Sequence, residues 1–160
     1  MGTIFWGNEV VRLAIEIEKN GEKFYGSLAE SAKSQGVREL SSYLAGEERK
    51  HREIFEKLLD TIEEYVPFET YPGEYHSYLR ALAEERVFTG DAGVERALRE
   101  AGTDVEAIEV AIGFEKDSIL LFHEMMNIVR EKDHPVIQRL IDEERSHLMK
   151  LRDMKDNIES

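Results

Sequence analysis

Leu44-Ala45-Gly46-Glu47-Glu48-Arg49-Lys50-His51 and Leu140-Ile141-Asp142-Glu143-Glu144-Arg145-Ser146-His147 share one reading, L-x-x-E-E-R-x-H. On a helix, residues three apart lie on one face one turn along. Each E-x-x-H therefore offers a carboxylate and an imidazole to a common point. The motif is weak by itself, because chance supplies about one E-x-x-H in a chain with five histidines and this much glutamate. A third instance, Glu131 and His134, straddles the helix-boundary signals of Asp133 and Pro135, so its side chains do not share a helical face. It is assigned to chance.

Working outward, each motif follows a glutamate of the preceding helix at nearly constant distance: Glu18 lies 30 residues before Glu48, and Glu115 lies 29 before Glu144. The flanks correspond as well, Ala14, Glu18, Gly21 and Tyr25 matching Ala111, Glu115, Ser118 and Phe122. The two halves read as a duplication.

Apolar residues recur at three- and four-residue spacing through most of the chain and strand signals are almost absent, so the fold class is all-α. A first helix is expected from the N-cap Asn8 to about Lys33, where Ser34-Gln35-Gly36 interrupts the pattern. A second runs from Val37 to about Tyr65 and is closed by Pro67. A third starts at the capping-box pair Thr103 and Glu106 and ends near Glu131. The fourth starts at Asp133 and Pro135 and ends near Asn157. Short links make antiparallel pairs. The stretch of about 66–103, with Pro72-Gly73, Thr89-Gly90-Asp91 and one or two short helical pieces, is a long crossover. The expected architecture is an antiparallel four-helix bundle forming a single domain, 1–160.

Most glutamates of so acidic a chain are solvated, but Glu18 and Glu115 are not on polar faces. Ile108, Ile112, Glu115, Ile119, Phe122, Met126 and Val129 alternate spacings of four and three, a core-facing seam. Glu18 interrupts a similar seam of Val11, Ala14, Gly21, Tyr25 and Leu28. Glu48 and His51 fall between Leu44 and Phe55, and Glu144 and His147 between Leu140 and Leu151. Four carboxylates buried together must take up protons or be neutralised, and two divalent cations cancel their charge. With no cysteine in the chain, ligation is by nitrogen and oxygen alone. Two imidazoles among carboxylates favour iron or manganese, and one Glu from each of two helices plus E-x-x-H from two others is the di-iron carboxylate pattern. The candidate ligands are Glu18, Glu48, His51, Glu115, Glu144 and His147, holding two iron ions, with manganese as the alternative.

Glu47 and Glu143 sit about 100° around their helices from the ligands and read as solvated or as outer partners of them. Tyr25, on the Glu18 stripe, either hydrogen-bonds a ligand carboxylate, supplies an electron, or simply packs. Gly21 and Ser118 either leave room for oxygen or peroxide or serve close helix packing. His76, His123 and His134 fall outside the motif and are expected in surface or structural roles.

Over nearly its whole length the sequence resembles the ferritin-like superfamily, and within it is most similar to the di-iron domain of rubrerythrins. Ile15-Glu16-Ile17-Glu18-Lys19-Asn20-Gly21, Phe24-Tyr25 and the two E-E-R-x-H segments carry the resemblance. It implies that Glu18 and Glu115 are terminal ligands, that Glu48 and Glu144 bridge, and that His51 and His147 bind one iron each. Two departures stand out. Rubrerythrins append a cysteine-ligated rubredoxin domain, whereas this chain has no cysteine, and Ile112 stands where they carry an extra glutamate.

The balance of 34 acidic to 21 basic side chains, a formal charge of -13, argues against nucleic acid and anionic membrane surfaces as partners. No apolar run approaches the ~20 residues that cross a bilayer. Met1 to Trp6 lacks the basic and long apolar regions of a signal peptide, so a cytoplasmic location is expected. The expected function is redox chemistry: an iron pair reacts with peroxide or dioxygen and a separate electron-donor protein re-reduces it. The alternative is a ferroxidase or iron-storage role of the ferritin type. A third reading makes the metals structural within an interaction module. Long helices with apolar seams lead us to expect a homo-oligomer, such as a dimer.

Overall fold

The computed structural model describes residues 5–62, 64–65, 70–71, 73–84 and 90–159. Four long helices form the bundle: α1 (Gly7–Ser31), α2 (Gln35–Leu59), α5 (Asp104–Met125) and α6 (His134–Glu159). Two short ones, α3 (Glu74–Glu84) and α4 (Gly90–Ala101), lie in the crossover. A two-residue strand β1 (Phe5–Trp6) pairs antiparallel with β2 (Glu64–Tyr65), Phe5 opposite Tyr65 and Trp6 opposite Glu64. α1 packs chiefly on α2 and α5 on α6, while α4 covers α1 and α5. The result is the antiparallel ferritin-like bundle with a long crossover. Among the described residues no helix is long and apolar enough to cross a membrane.

Each long helix buries one stripe. In α1 this is Val11, Ala14, Glu18, Gly21, Tyr25 and Leu28, widened by Val10, Ile17 and Phe24. In α5 the buried face is turned slightly from the expected seam: Ala111, Phe114, Ser118, Leu121 and Met125 join Ile108, Glu115 and Phe122, whereas Ile112, Ile119 and Met126 are half-buried. Glu115 lies at the centre of this wider face. The links are tied by local chemistry. Asp104, the first residue of α5, accepts hydrogen bonds from the backbone N–H of Lys33 (3.1 Å) and Ser34 (2.8 Å), which fixes the α1–α2 turn. Gly102 ends α4 at φ +66°, the left-handed conformation that glycine adopts without steric cost. The chain then enters the Thr103–Glu106 capping box, in which both reciprocal hydrogen bonds form.

Several expected boundaries move. α1 starts at Gly7, directly after β1, so Asn8 lies inside it rather than capping it. α2 stops at Leu59 rather than Tyr65; the Thr61 hydroxyl donates to the Leu58 carbonyl, and the chain turns to pair Glu64–Tyr65 with β1. α5 stops at Met125 rather than Glu131, tightening through i to i+3 bonds at Met126, Asn127 and Ile128. Glu131 opens a separate short 3-10 turn before His134 begins α6, so that pair belongs to no common helical face. Pro67, Pro72 and Thr89 lie outside the described residues, as does the side chain of His76.

Candidate metal centre

All six candidate ligands meet in the bundle core, each at most 1% exposed. α1 supplies Glu18, α2 supplies Glu48 and His51, α5 supplies Glu115, and α6 supplies Glu144 and His147. They fall into two overlapping groups whose ligand atoms lie within 4.8 Å of one another: Glu18, Glu48, His51 and Glu144, and Glu48, Glu115, Glu144 and His147. Glu48 and Glu144 belong to both. His51 Nδ1 is 2.7 Å from Glu144 Oε1 and 3.6 Å from Glu18 Oε2. His147 Nδ1 is 3.3 Å from Glu144 Oε2, 3.7 Å from Glu48 Oε1 and 3.8 Å from Glu115 Oε2. The two imidazoles stack 13° from parallel with centroids 5.5 Å apart.

The donor set passes a direct test of fit. Both oxygens of Glu18, Glu48 and Glu144, one of Glu115, and Nδ1 of both histidines are buried without a hydrogen-bond partner among the described residues. Native cores satisfy nearly all buried polar atoms, so a convergent set of unpartnered lone pairs is what a cation site requires. The protein alone handles the charge awkwardly. Burial pushes the carboxyls of Glu18, Glu48 and Glu115 well above the usual range, with repulsion among the glutamates adding to it. Burial would raise Glu144 too, but the closeness of Glu115, His147 and His51 outweighs it and holds Glu144 well below the ordinary value. Burial opposes charge on the imidazoles, yet their carboxylate neighbours raise His51 to about 9 and His147 to about 10.

Around this cluster the duplicated halves diverge. Glu143, half-buried, lies 2.9 Å from His51 Nε2. A proton on Nε2 shared with Glu143 leaves the Nδ1 lone pair facing the glutamates. Its counterpart Glu47 lies near both histidines but takes a 2.6 Å bond from Lys50 instead. The Tyr25 hydroxyl donates to Glu115 Oε1, which is why only the other oxygen of Glu115 is unpartnered. Its counterpart Phe122 packs edge-on against Phe55 at 4.9 Å. His123 is exposed and His134 half-buried, both outside the cluster.

Two neighbours escaped the sequence reading. Tyr43, 47% exposed, stands edge-on to the His147 ring at 6.3 Å, although its sequence signal is only a place one turn before Glu47. Phe114 settles the question of Gly21. A Cβ at Gly21 would lie 2.6 and 2.8 Å from ring carbons of Phe114 and 3.1 Å from Glu48 Oε2, so the space is filled by close packing and not open to a ligand. Gly21→Ala is therefore expected to cost about 1–3 kcal/mol of stability by overpacking. Urea unfolding of the metal-free protein measures it, and an unchanged midpoint would show that Phe114 yields freely.

Residues 9–155 match the rubrerythrin family. A solved structure from Thermotoga maritima, described as a ferritin-like diiron-carboxylate protein, superposes with a TM-score of 0.66 at 26% identity, covering 98% of each chain. A hypothetical protein from Pyrococcus furiosus shares the fold, with a TM-score of 0.54 at 23% identity over 95% of this chain and 89% of that one. No curated protein matches the chain.

Proposed function

The chain belongs to the rubrerythrin family, and on that premise we propose that it is a di-iron carboxylate oxidoreductase reducing peroxide, or dioxygen, with electrons from a separate donor protein. The observation that carries this reading is the convergence of unpartnered carboxylate oxygens and imidazole nitrogens in a fully buried core. Glu18 and His51 would hold one iron, Glu115 and His147 the other, and Glu48 and Glu144 both, with manganese as the alternative metal. When bound, such a pair supplies two electrons to an O–O bond.

The protein's part is binding, orientation and proton placement. Glu143 keeps its shared proton on the outer nitrogen of His51. Burial pushes the Tyr25 hydroxyl well above its ordinary pKa, so it stays protonated and holds that proton at Glu115 Oε1. Reduction of peroxide to two waters consumes two electrons, which the donor supplies, and two protons, for which Tyr25 and Glu115 form an inner station. A single domain over 1–160, a homo-oligomeric state and a cytoplasmic location complete the proposal.

Stopped-flow mixing of the reduced, iron-loaded protein tests it. Oxidation by peroxide is expected to exceed oxidation by dioxygen by about tenfold or more at equal concentration. A second reading, ferroxidase activity, draws on the outer group of Glu47, His51 and His147, which adds a carboxylate on the solvent side of the centre. It requires dioxygen to react faster and iron to turn over beyond two ions per chain. A reduced protein inert to both oxidants would overturn either reading.

A further inference from the structure

Ser118 is fully buried, one turn after Glu115 on α5, and its Oγ has no hydrogen-bond partner among the described residues. A helical serine commonly turns its hydroxyl back on the carbonyl four residues earlier, and this one does not. Alanine would suit a buried helical position better, being the stronger helix former with no polar atom to strand.

The duplication gives Ser118 a counterpart whose surroundings are defined. Ser118 corresponds to Gly21, whose Cβ position lies 3.1 Å from Glu48 Oε2, and the counterpart of Glu48 is Glu144. At Gly21 the remaining space is taken by the ring of Phe114, whose own counterpart is the shorter, buried Ile17. The Gly21 flank of the cluster is thus filled by hydrocarbon, whereas Ser118, at the equivalent place one turn after Glu115, keeps a hydroxyl with its hydrogen uncommitted.

We infer that Ser118 is a binding residue: its hydroxyl donates a hydrogen bond to the small oxygen-containing ligand of the centre, peroxide or an anion of similar size, and holds it on the α5–α6 side. The Phe114 flank does not receive the ligand. This rests on the redox reading proposed above and adds to it the position and a partner of the oxidant.

Azide is a suitable probe, its binding to the ferric, iron-loaded protein followed by absorption. Ser118→Ala is expected to leave iron uptake unchanged and to weaken azide binding by about tenfold or more. Phe114→Leu, on the opposite flank, is expected to leave azide affinity within about twofold of wild type. A readout independent of metal accompanies these: metal-free Ser118→Ala should unfold at or above the wild-type temperature, because removing an unpartnered buried hydroxyl cannot cost a hydrogen bond. Unchanged azide affinity in Ser118→Ala, with iron bound normally, overturns the inference and leaves the di-iron reading standing. So does a metal-free Ser118→Ala that is markedly destabilised or fails to fold, since the hydroxyl would then be structural. A wild-type protein that takes up no iron overturns the di-iron reading and this inference together.

Discussion

Ferrous iron added without oxygen to the metal-free protein is expected to bind at two ions per chain and to raise the unfolding midpoint by roughly 15–30 °C. Each ion held at a free concentration a thousandfold above its dissociation constant adds about 4 kcal/mol, and a domain of this size gains about 2–4 °C per kcal/mol. The gain has a defined pH dependence. His51 and His147, raised to about 9 and about 10, stabilise the metal-free fold fully below the unfolded histidine value of 6.5 and lose that contribution as pH rises through their folded values. Glu18, Glu48 and Glu115 are raised as well, so their protonated forms favour the metal-free fold most below the ordinary glutamate value of 4.5 and less as pH rises. Both trends weaken the metal-free protein toward alkaline pH. Metal must displace the same protons, so its stabilisation grows in that direction. Differential scanning calorimetry at pH 5.5 and 7.5, with and without iron, should show a larger iron-dependent shift at the higher pH. Equal shifts would place the metal somewhere other than this cluster.

The second large effect is a change of sign. Glu18→Met removes a fully buried carboxylate with no hydrogen-bond partner among the described residues and puts an apolar side chain of similar length in its place. Replacing buried ionic groups by apolar ones of like size stabilises by about 1–4 kcal/mol, so the metal-free variant should melt roughly 3–15 °C above the metal-free wild type. The same variant should lose most of the iron-induced rise. An ion network kept for stability predicts the reverse, because breaking a buried pair costs about 3–5 kcal/mol. Thermal melts of both proteins with and without iron separate the two cases, and a metal-free variant that melts lower would end the metal-site interpretation of Glu18.

How far the site can be read from sequence follows from where its information lies. Glu18, Glu48, His51, Glu115, Glu144 and His147 are legible because their spacing repeats and because each interrupts an apolar stripe, two signals local to single helices. The helix ends are less so. Leu58, Ile62 and Tyr65 continue the helical spacing past Leu59, and only the pairing of Tyr65 with Phe5, sixty residues earlier, shows that the chain has already turned. Met126 and Val129 likewise continue the α5 seam. Val129 is buried although the helix has given way to tighter turns, so burial survives where helical geometry does not. The environment of the cluster is the least legible part. That Phe114 rather than an oxidant occupies the space at Gly21, and that Glu143 but not Glu47 engages a histidine, depends on how α1, α2, α5 and α6 approach one another.

The sharing of Glu48 and Glu144 between both ligand groups bears on the order of folding. α1 with α2, and α5 with α6, are local hairpins that close cheaply and early, whereas the crossover must bring together segments separated by most of the chain. Each ligand group draws on both hairpins, so neither group exists until they dock. One hairpin supplies three ligands of each group and the other hairpin the fourth, so a metal ion held by a complete group would clasp the docked halves and raise the barrier against their coming apart.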